Sequence, residues 1–338
     1  MRLITVLLLT SVLLFSCNSA DKIPDVSSVK IELSTQRFDQ DFFGIDSTNF
    51  APLLDKLEAK YMSFGENFVY QILQADPHWP ADTVATYVGK FASLYRPIYD
   101  SSQLIFKDFS PYEKEIKKSF QYLRHYFPDS AIPKRITTFI GPLDGTGMAI
   151  ADDSVLCVGL HAYLGKNFSL YKSALVQETY PEYVTSRFEP GYIAIDGIKL
   201  IMQNMYPENL EDKPLVQQMV EKGKRLYMLS KILPYTEEYK LIGYTKEQMA
   251  DTYVHERNVW DLFVQNNLLQ TIDNNIIKNY IGDSPKTQEL GEGSPGNVGS
   301  FAGWQIVKKY MLKNPNTSLK QLMETDAETI FAEAKYKP

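Results

Sequence analysis

The spacing of apolar residues changes along this chain, and each change predicts a different element. In "PADTVATYVGKFASLYRPIYDS" apolar side chains fall at 84, 87, 88, 91, 94 and 95, which lie on one face at helical period. "VKIEL" (29–33) alternates instead and predicts a short strand. The stretch from 47 to 127 reads as helices. Ser47-Thr48 can cap a segment carrying Pro52 in its first turns. Ser110-Pro111-Tyr112-Glu113 has the spacing of a capping box with Pro at the first helical position. "KRITTFIG" (134–141) and "SVLCVGL" (154–160) are rich in β-branched residues and flanked by Gly, Pro and Asp. "GTGMAIADD" between them predicts another strand ending in an Asp-Asp turn. Together they predict a small mixed or antiparallel sheet. Helices resume over 168–180, 191–205 and 213–231, then in a long helix opening at Thr245 with Gln248 as its reciprocal cap. "SPGNVGSFAGWQIVKKYML" reads as a turn entering a helix, and "SLKQLM" and "DAETIFAEA" close the chain as short helices. The fold class expected is α+β, mainly α-helical, a small sheet followed by a helical bundle.

The first residues follow a different logic. "MRLITVLLLTSVLLFSC" has Arg2, an apolar run from Leu3 to Phe15, then Ser16 and Cys17. The run is shorter than the roughly 20 residues that span a bilayer and suits a secretory signal. Leu14-Phe15-Ser16-Cys17 resembles a bacterial lipobox, which makes Cys17 the lipidation site. The expected organisation is a signal peptide (1–16), a lipidated tether (17–28) and one α+β domain (29–338). With Cys17 acylated, Cys157 has no disulfide partner in the chain, and its apolar setting in "VLCVGL" predicts a buried, inert thiol. A formal charge of −6 and the lack of a basic stretch argue against a nucleic-acid partner.

Candidate chemistry centres on "SALVQETYPEYV". Gln177-Glu178-Thr179-Tyr180-Pro181 has the outline of the zinc-protease helix H-E-x-x-H, with Gln177 and Pro181 at the two ligand positions. A neutral amide is a feeble zinc ligand, and proline is none. The Pro181 ring also removes a helical N–H and clashes with carbonyl 177, so the helix must bend or end there. His78, His125, His161 and His255 show no ligand spacing, and Val259 stands where a second histidine would follow His255-Glu256. The reading is no metal and no cofactor. Glu178 and Glu182 form an i, i+4 carboxylate pair able to do acid–base work only if a cleft separates their pKa values. A candidate cleft would hold Gln177, Glu178, Glu182, Tyr183 and Trp304, with Tyr180 beside them.

The order of segments carries a resemblance. After the lipobox come "DKIPDVSSVKIELSTQRFDQDFF", "VGLHAYLG", "YPEYVTSRFEPGYIAID", "VWDLFVQNNLLQT", "SPGNVGSFAGWQIVKKYM" and "AKYKP". This resembles the gliding motility-associated lipoprotein GldB family of Bacteroidetes over essentially the whole chain. A sheet followed at once by "QETYPEY" is also similar to predicted zinc-dependent proteases, whose metal ligands are replaced here. The resemblance implies a non-catalytic accessory of the gliding apparatus, which overlaps with a protein-secretion system. It implies a pseudo-enzyme scaffold anchored by lipid to the envelope, on the periplasmic side of the inner or outer membrane or at the cell surface, with other gliding and secretion envelope proteins as partners. Two alternatives stand beside it: a peptidase-like hydrolase using Glu178 and Glu182, or a peptide- or glycan-binding lipoprotein. Cys17→Ala removes the attachment atom for all acyl chains, so the variant should move from the membrane to the soluble fraction on cell fractionation, and membrane retention would refute the anchor.

Overall fold

A computed structural model describes residues 23–44, 50–61, 63–151 and 154–338. Cys17, the Ser47-Thr48 cap and the Asp152-Asp153 turn lie outside them. The fold is mainly helical α+β. Its sheet holds β1 (Ser34–Arg37), β2 (Arg135–Phe139), β3 (Met148–Ala151) and β4 (Val155–Gly159) in the order β1-β2-β4-β3. β1, β2 and β4 run parallel; β3 is antiparallel to β4. The sheet is therefore mixed. A parallel pair needs a crossover, and a mainly helical segment provides it between β1 and β2: Phe38–Phe43, Ala51–Tyr61, Ser63–Asn67, Ala81–Phe106 and Ser110–Tyr126, with a π-helical turn at Phe68–Ile72. Cys157 is buried in β4.

Two expectations for the segment preceding β2 are corrected. The alternating run 29–33 forms no strand; pairing starts at Ser34, whose N–H donates to the Lys134 carbonyl. Upstream, the Val29 carbonyl accepts a hydrogen bond from the Gln121 amide at 2.8 Å. Alternation recorded one buried side chain, Ile31, without a partner strand. The helix at Ser110 starts where expected, but the capping box does not form. Asp108 accepts from the Ser110 N–H at 2.9 Å, and Glu113 accepts from the Thr35 hydroxyl of β1 at 2.7 Å. A tertiary bond has claimed the carboxylate that the box required.

The edge strand β1 is held by a buried ion pair. Arg37 donates to both oxygens of Asp39 at 2.9 and 2.7 Å, and Asp39 also accepts from Thr138 at 2.5 Å and Gln103 at 3.2 Å. Asp39 is fully buried, and a buried charge is tolerated when its lone pairs are filled in this way. Beneath it Phe38, Phe42, Phe64, Phe68 and Phe139 pack ring against ring at centroid separations of 4.7 to 6.4 Å.

The second half is built on two long helices, Leu215–Ile232 and Val298–Lys313. They meet at glycines: a Cβ on Gly223 would overlap the Gly303 carbonyl, and one on Gly303 would overlap the Met219 carbonyl. Helices Ile193–Met205, Glu238–Ile242, Lys246–Val254, Glu256–Gln265, Asn274–Ile281, Leu319–Glu324 and Ala327–Ala334 complete the array. The Thr245–Gln248 capping box forms as expected, but that helix breaks at His255 into two. Gly303→Ala should destabilise by about 3 kcal/mol in urea unfolding, because backbone cannot yield as a side chain can. Gly293→Ala, in open space, should leave the midpoint unchanged.

Candidate functional site

Pro181 ends the helix Ala174–Thr179, and a second short helix, Glu182–Thr185, starts directly after it. The backbone reason is the expected one: proline offers no N–H to carbonyl 177. Gln177 is half-buried, and its amide donates to the Tyr171 carbonyl at 2.6 Å and reaches the Thr185 hydroxyl at 3.4 Å. It thus ties the helix before the proline to the turn preceding it and the helix following it. Tyr171 continues the connection, its hydroxyl donating to the His161 carbonyl at 2.6 Å and accepting from the Leu164 N–H at 3.0 Å. Tyr180 donates to the Gly145 carbonyl at 3.0 Å and packs against Phe188.

The proline break separates the expected site residues. Glu178 is exposed and stands apart from the cleft, whereas Glu182 and Tyr183 line it. Trp304 does not belong there. It is wholly buried on the Val298–Lys313 helix, with the Lys308 ammonium 4.2 Å above its ring. The expectation failed because an aromatic four residues short of a lysine reads alike on a groove wall or in a core. The cleft measures about 640 Å³, within the range of small-ligand sites. Its walls come from the Glu182–Thr185 helix, the 189–192 turn, residues 239–248, residues 283–285 and the 295–297 loop.

Arg187 and Asp283 were not foreseen, and they pair across the floor at 2.8 Å between Nη2 and Oδ2. Burial raises the Asp283 pKa, but the hydrogen bond and charge of Arg187 prevail and hold the carboxyl below its ordinary value. Nothing in the sequence links positions 96 residues apart. Tyr244 follows Gly243, whose φ of 86° closes the Glu238–Ile242 helix. Burial alone pushes the Tyr244 phenol up, beyond physiological titration. Asn297, at φ 58°, turns the loop into the long helix while its side chain accepts from Ser300 at 2.5 Å. The Gly-Asn in "SPGNVG" was a legible turn signal; its position in a cleft was not.

Among the described residues no three or more His, Cys, Asp or Glu side chains gather as a metal-holding group. His161, in the quoted "VGLHAYLG", is buried beside β2, and its Nδ1 accepts the Gly141 N–H at 3.0 Å, which fixes a neutral tautomer. Burial lowers its pKa from 6.5 to about 4, opposed in part by the Gly145 carbonyl.

The fold and its site define a class: a helical α+β protein with a ligand-sized, charge-paired cleft beside a proline-broken helix. The family model described as gliding motility protein GldB matches residues 19–338, so the chain belongs to that family and takes part in gliding motility. No curated protein and no solved structure matches it.

Because the folded state keeps His161 neutral while the unfolded chain protonates it, the unfolded state binds more protons between pH 6.5 and 4. Stability should therefore fall as pH falls through that window, by roughly 3 kcal/mol at pH 4. The check is the difference in pH slope between the wild type and His161→Asn, which should lose this component.

Proposed function

We propose that this GldB-family chain is an outward-facing lipoprotein, anchored through Cys17, that acts without catalysis by contacting envelope proteins of the gliding and secretion machinery and supporting their assembly or stability. The observation that carries the non-catalytic part is the employment of the degenerate motif in structure. The Gln177 amide is spent on the Tyr171 carbonyl and Pro181 ends the helix, so both ligand positions serve the fold. Scaffold descent from a protease-like ancestor is consistent with the order of sheet, turn and broken helix. The anchor reading rests on the run preceding Cys17, and no helix among the described residues is long and apolar enough to cross a membrane. Acyl chains contribute about 0.8 kcal/mol per buried CH₂, and several together hold a protein stably.

The cleft favours a second reading for the same lipoprotein, that it binds a peptide or glycan. A hydrolase using Glu178 and Glu182 finds less support, since only Glu182 reaches the cleft.

Deleting the gene should abolish colony spreading, and a Glu178→Ala, Glu182→Ala double variant should restore it fully. Spreading by the deletion strain would overturn the motility role. A folded double variant that fails to complement would overturn the non-catalytic one.

A further inference from the structure

A second cavity of about 250 Å³ adjoins the cleft, and the two share Arg187, Ile242, Asp283 and Asn297. Its charged lining is unbalanced: Arg187, Lys199, Lys222 and Arg225 face only Glu208 and Asp283. Three of those cations are engaged. Lys222 and Arg225 both hold Glu208, at 2.8 and 3.1 Å, and Arg187 holds Asp283. Lys199 makes no hydrogen bond or ion pair among the described residues. Burial lowers the Lys199 pKa, and the field of Asp196, one turn earlier and itself accepting from the Tyr163 hydroxyl at 3.0 Å, is the main influence opposing it. Asn297 and Ser300 bring the first turn of a 16-residue helix to the same wall, with its partial positive charge.

The larger cleft adds an independent observation. The Tyr244 hydroxyl and the Ser284 hydroxyl are both shut off from water and lack a hydrogen-bond partner. Both residues line the cleft, and Tyr244 is only 6% exposed. A buried hydroxyl without a partner is costly, and a ligand in the cleft that supplies one, once the side chain turns toward it, recovers the loss. The rim carries Glu182, Glu189 and Glu247 against Lys166, Lys240 and Lys246, neutral in sum. Such a rim does not favour a ligand charged at every unit, as an acidic glycan is. It suits a chain that is uncharged along its length, bears hydrogen-bonding groups at each step and ends or branches in one anion.

The geometry points to a binding site for an extended peptide with an acidic group, its main chain against Tyr244 and Ser284 and its carboxylate in the smaller cavity toward Lys199 and Arg187. This rests on the ligand-binding reading above and names its ligand class. The carboxylate meets the Lys199 ammonium, which among the described residues has no partner in this lining, and the main chain meets the two hydroxyls.

The test uses the full-length protein purified from membranes in detergent and immobilised. It is exposed to two random hexapeptide libraries, acetylated and amidated at their ends, with one position fixed as Glu or as Gln, and captured peptides are read by mass spectrometry. A carboxylate gaining charge-assisted hydrogen bonds should give the Glu library about tenfold greater capture. Lys199→Met should abolish that preference with an unchanged unfolding midpoint, and Tyr244→Phe should weaken capture of both libraries. If Lys199→Met fails to fold, Lys199→Gln reads the same loss. Equal capture of the two libraries, a preference that survives both Lys199 variants, or stronger capture of a uronic-acid oligosaccharide would each overturn the proposal. Peptides recovered intact support both the site and the non-catalytic role. Peptides recovered cut would uphold the site and overturn the non-catalytic role alone.

Discussion

Backbone contact between two helices sets the geometry of the half that carries the cleft. Where Leu215–Ile232 crosses Val298–Lys313, Gly223 and Gly303 let carbonyl oxygens approach the facing Cα atoms, a distance that no side chain allows. Residues on either side of that crossing are fixed with it. Lys222, Arg225, Leu226 and Leu229 project from one helix and Asn297 and Ser300 from the other, and all six line the smaller cavity. Interiors packed at crystal-like density transmit such constraints because neighbouring groups have no room to move. Asn297 accepts a left-handed backbone at the head of its helix for the same reason, as the loop must turn sharply to meet the crossing.

Two sets of charged groups in this molecule obey opposite rules. Around Asp39 every lone pair has a donor, the carboxylate is closed to water, and the network pins an edge strand. Removing one member would leave a buried charge uncompensated, which costs several kcal/mol. Around the cleft the accounting is incomplete: Lys199 is unengaged, the Tyr244 and Ser284 hydroxyls have no partner, and Asp283 is more than half exposed while it holds Arg187. Folding stability is served by the first arrangement and weakened by the second. The fold satisfies Asp39 fully and leaves polar demand unmet at the cleft, where the Tyr244 and Ser284 hydroxyls stand near Lys199, as well as at single buried atoms of His161, Trp304 and Gln305 away from it.

The sequence disclosed what depends on near neighbours. Helical period located Ala81–Phe106, β-branched runs located β2 and β4, and Thr245 with Gln248 formed the cap their spacing implied. It misled where a distant partner intervened. Glu113 was drawn from its box by Thr35, 78 residues away, and the alternation at 29–33 found no strand to pair with. The site divided along the same line. Glu182 and Tyr183 were legible beside a proline whose effect is local, whereas Arg187 with Asp283, Lys199 and Tyr244 depend on a topology that residue spacing does not encode. Trp304 failed through ambiguity, since the core and a cleft wall both favour a large aromatic.

The residues at the two ligand positions of the H-E-x-x-H outline, Gln177 and Pro181, help shape this cleft. A regular helix through 174–185 would carry Glu178 and Glu182 on one face, one turn apart. Pro181 breaks that register, leaving Glu178 toward solvent and turning Glu182, Tyr183 and Arg187 to the opening. Gln177 then braces the break by bonding back to the Tyr171 carbonyl and toward the Thr185 hydroxyl, so the two short helices keep a fixed angle. A histidine at 177 cannot replace that brace, because the amide spans both partners from one nitrogen with two hydrogens while a neutral imidazole donates one. The break at Pro181 and the brace from Gln177 thus act as one structural unit, and that unit sets the wall from which Glu182, Tyr183 and Arg187 face the cleft.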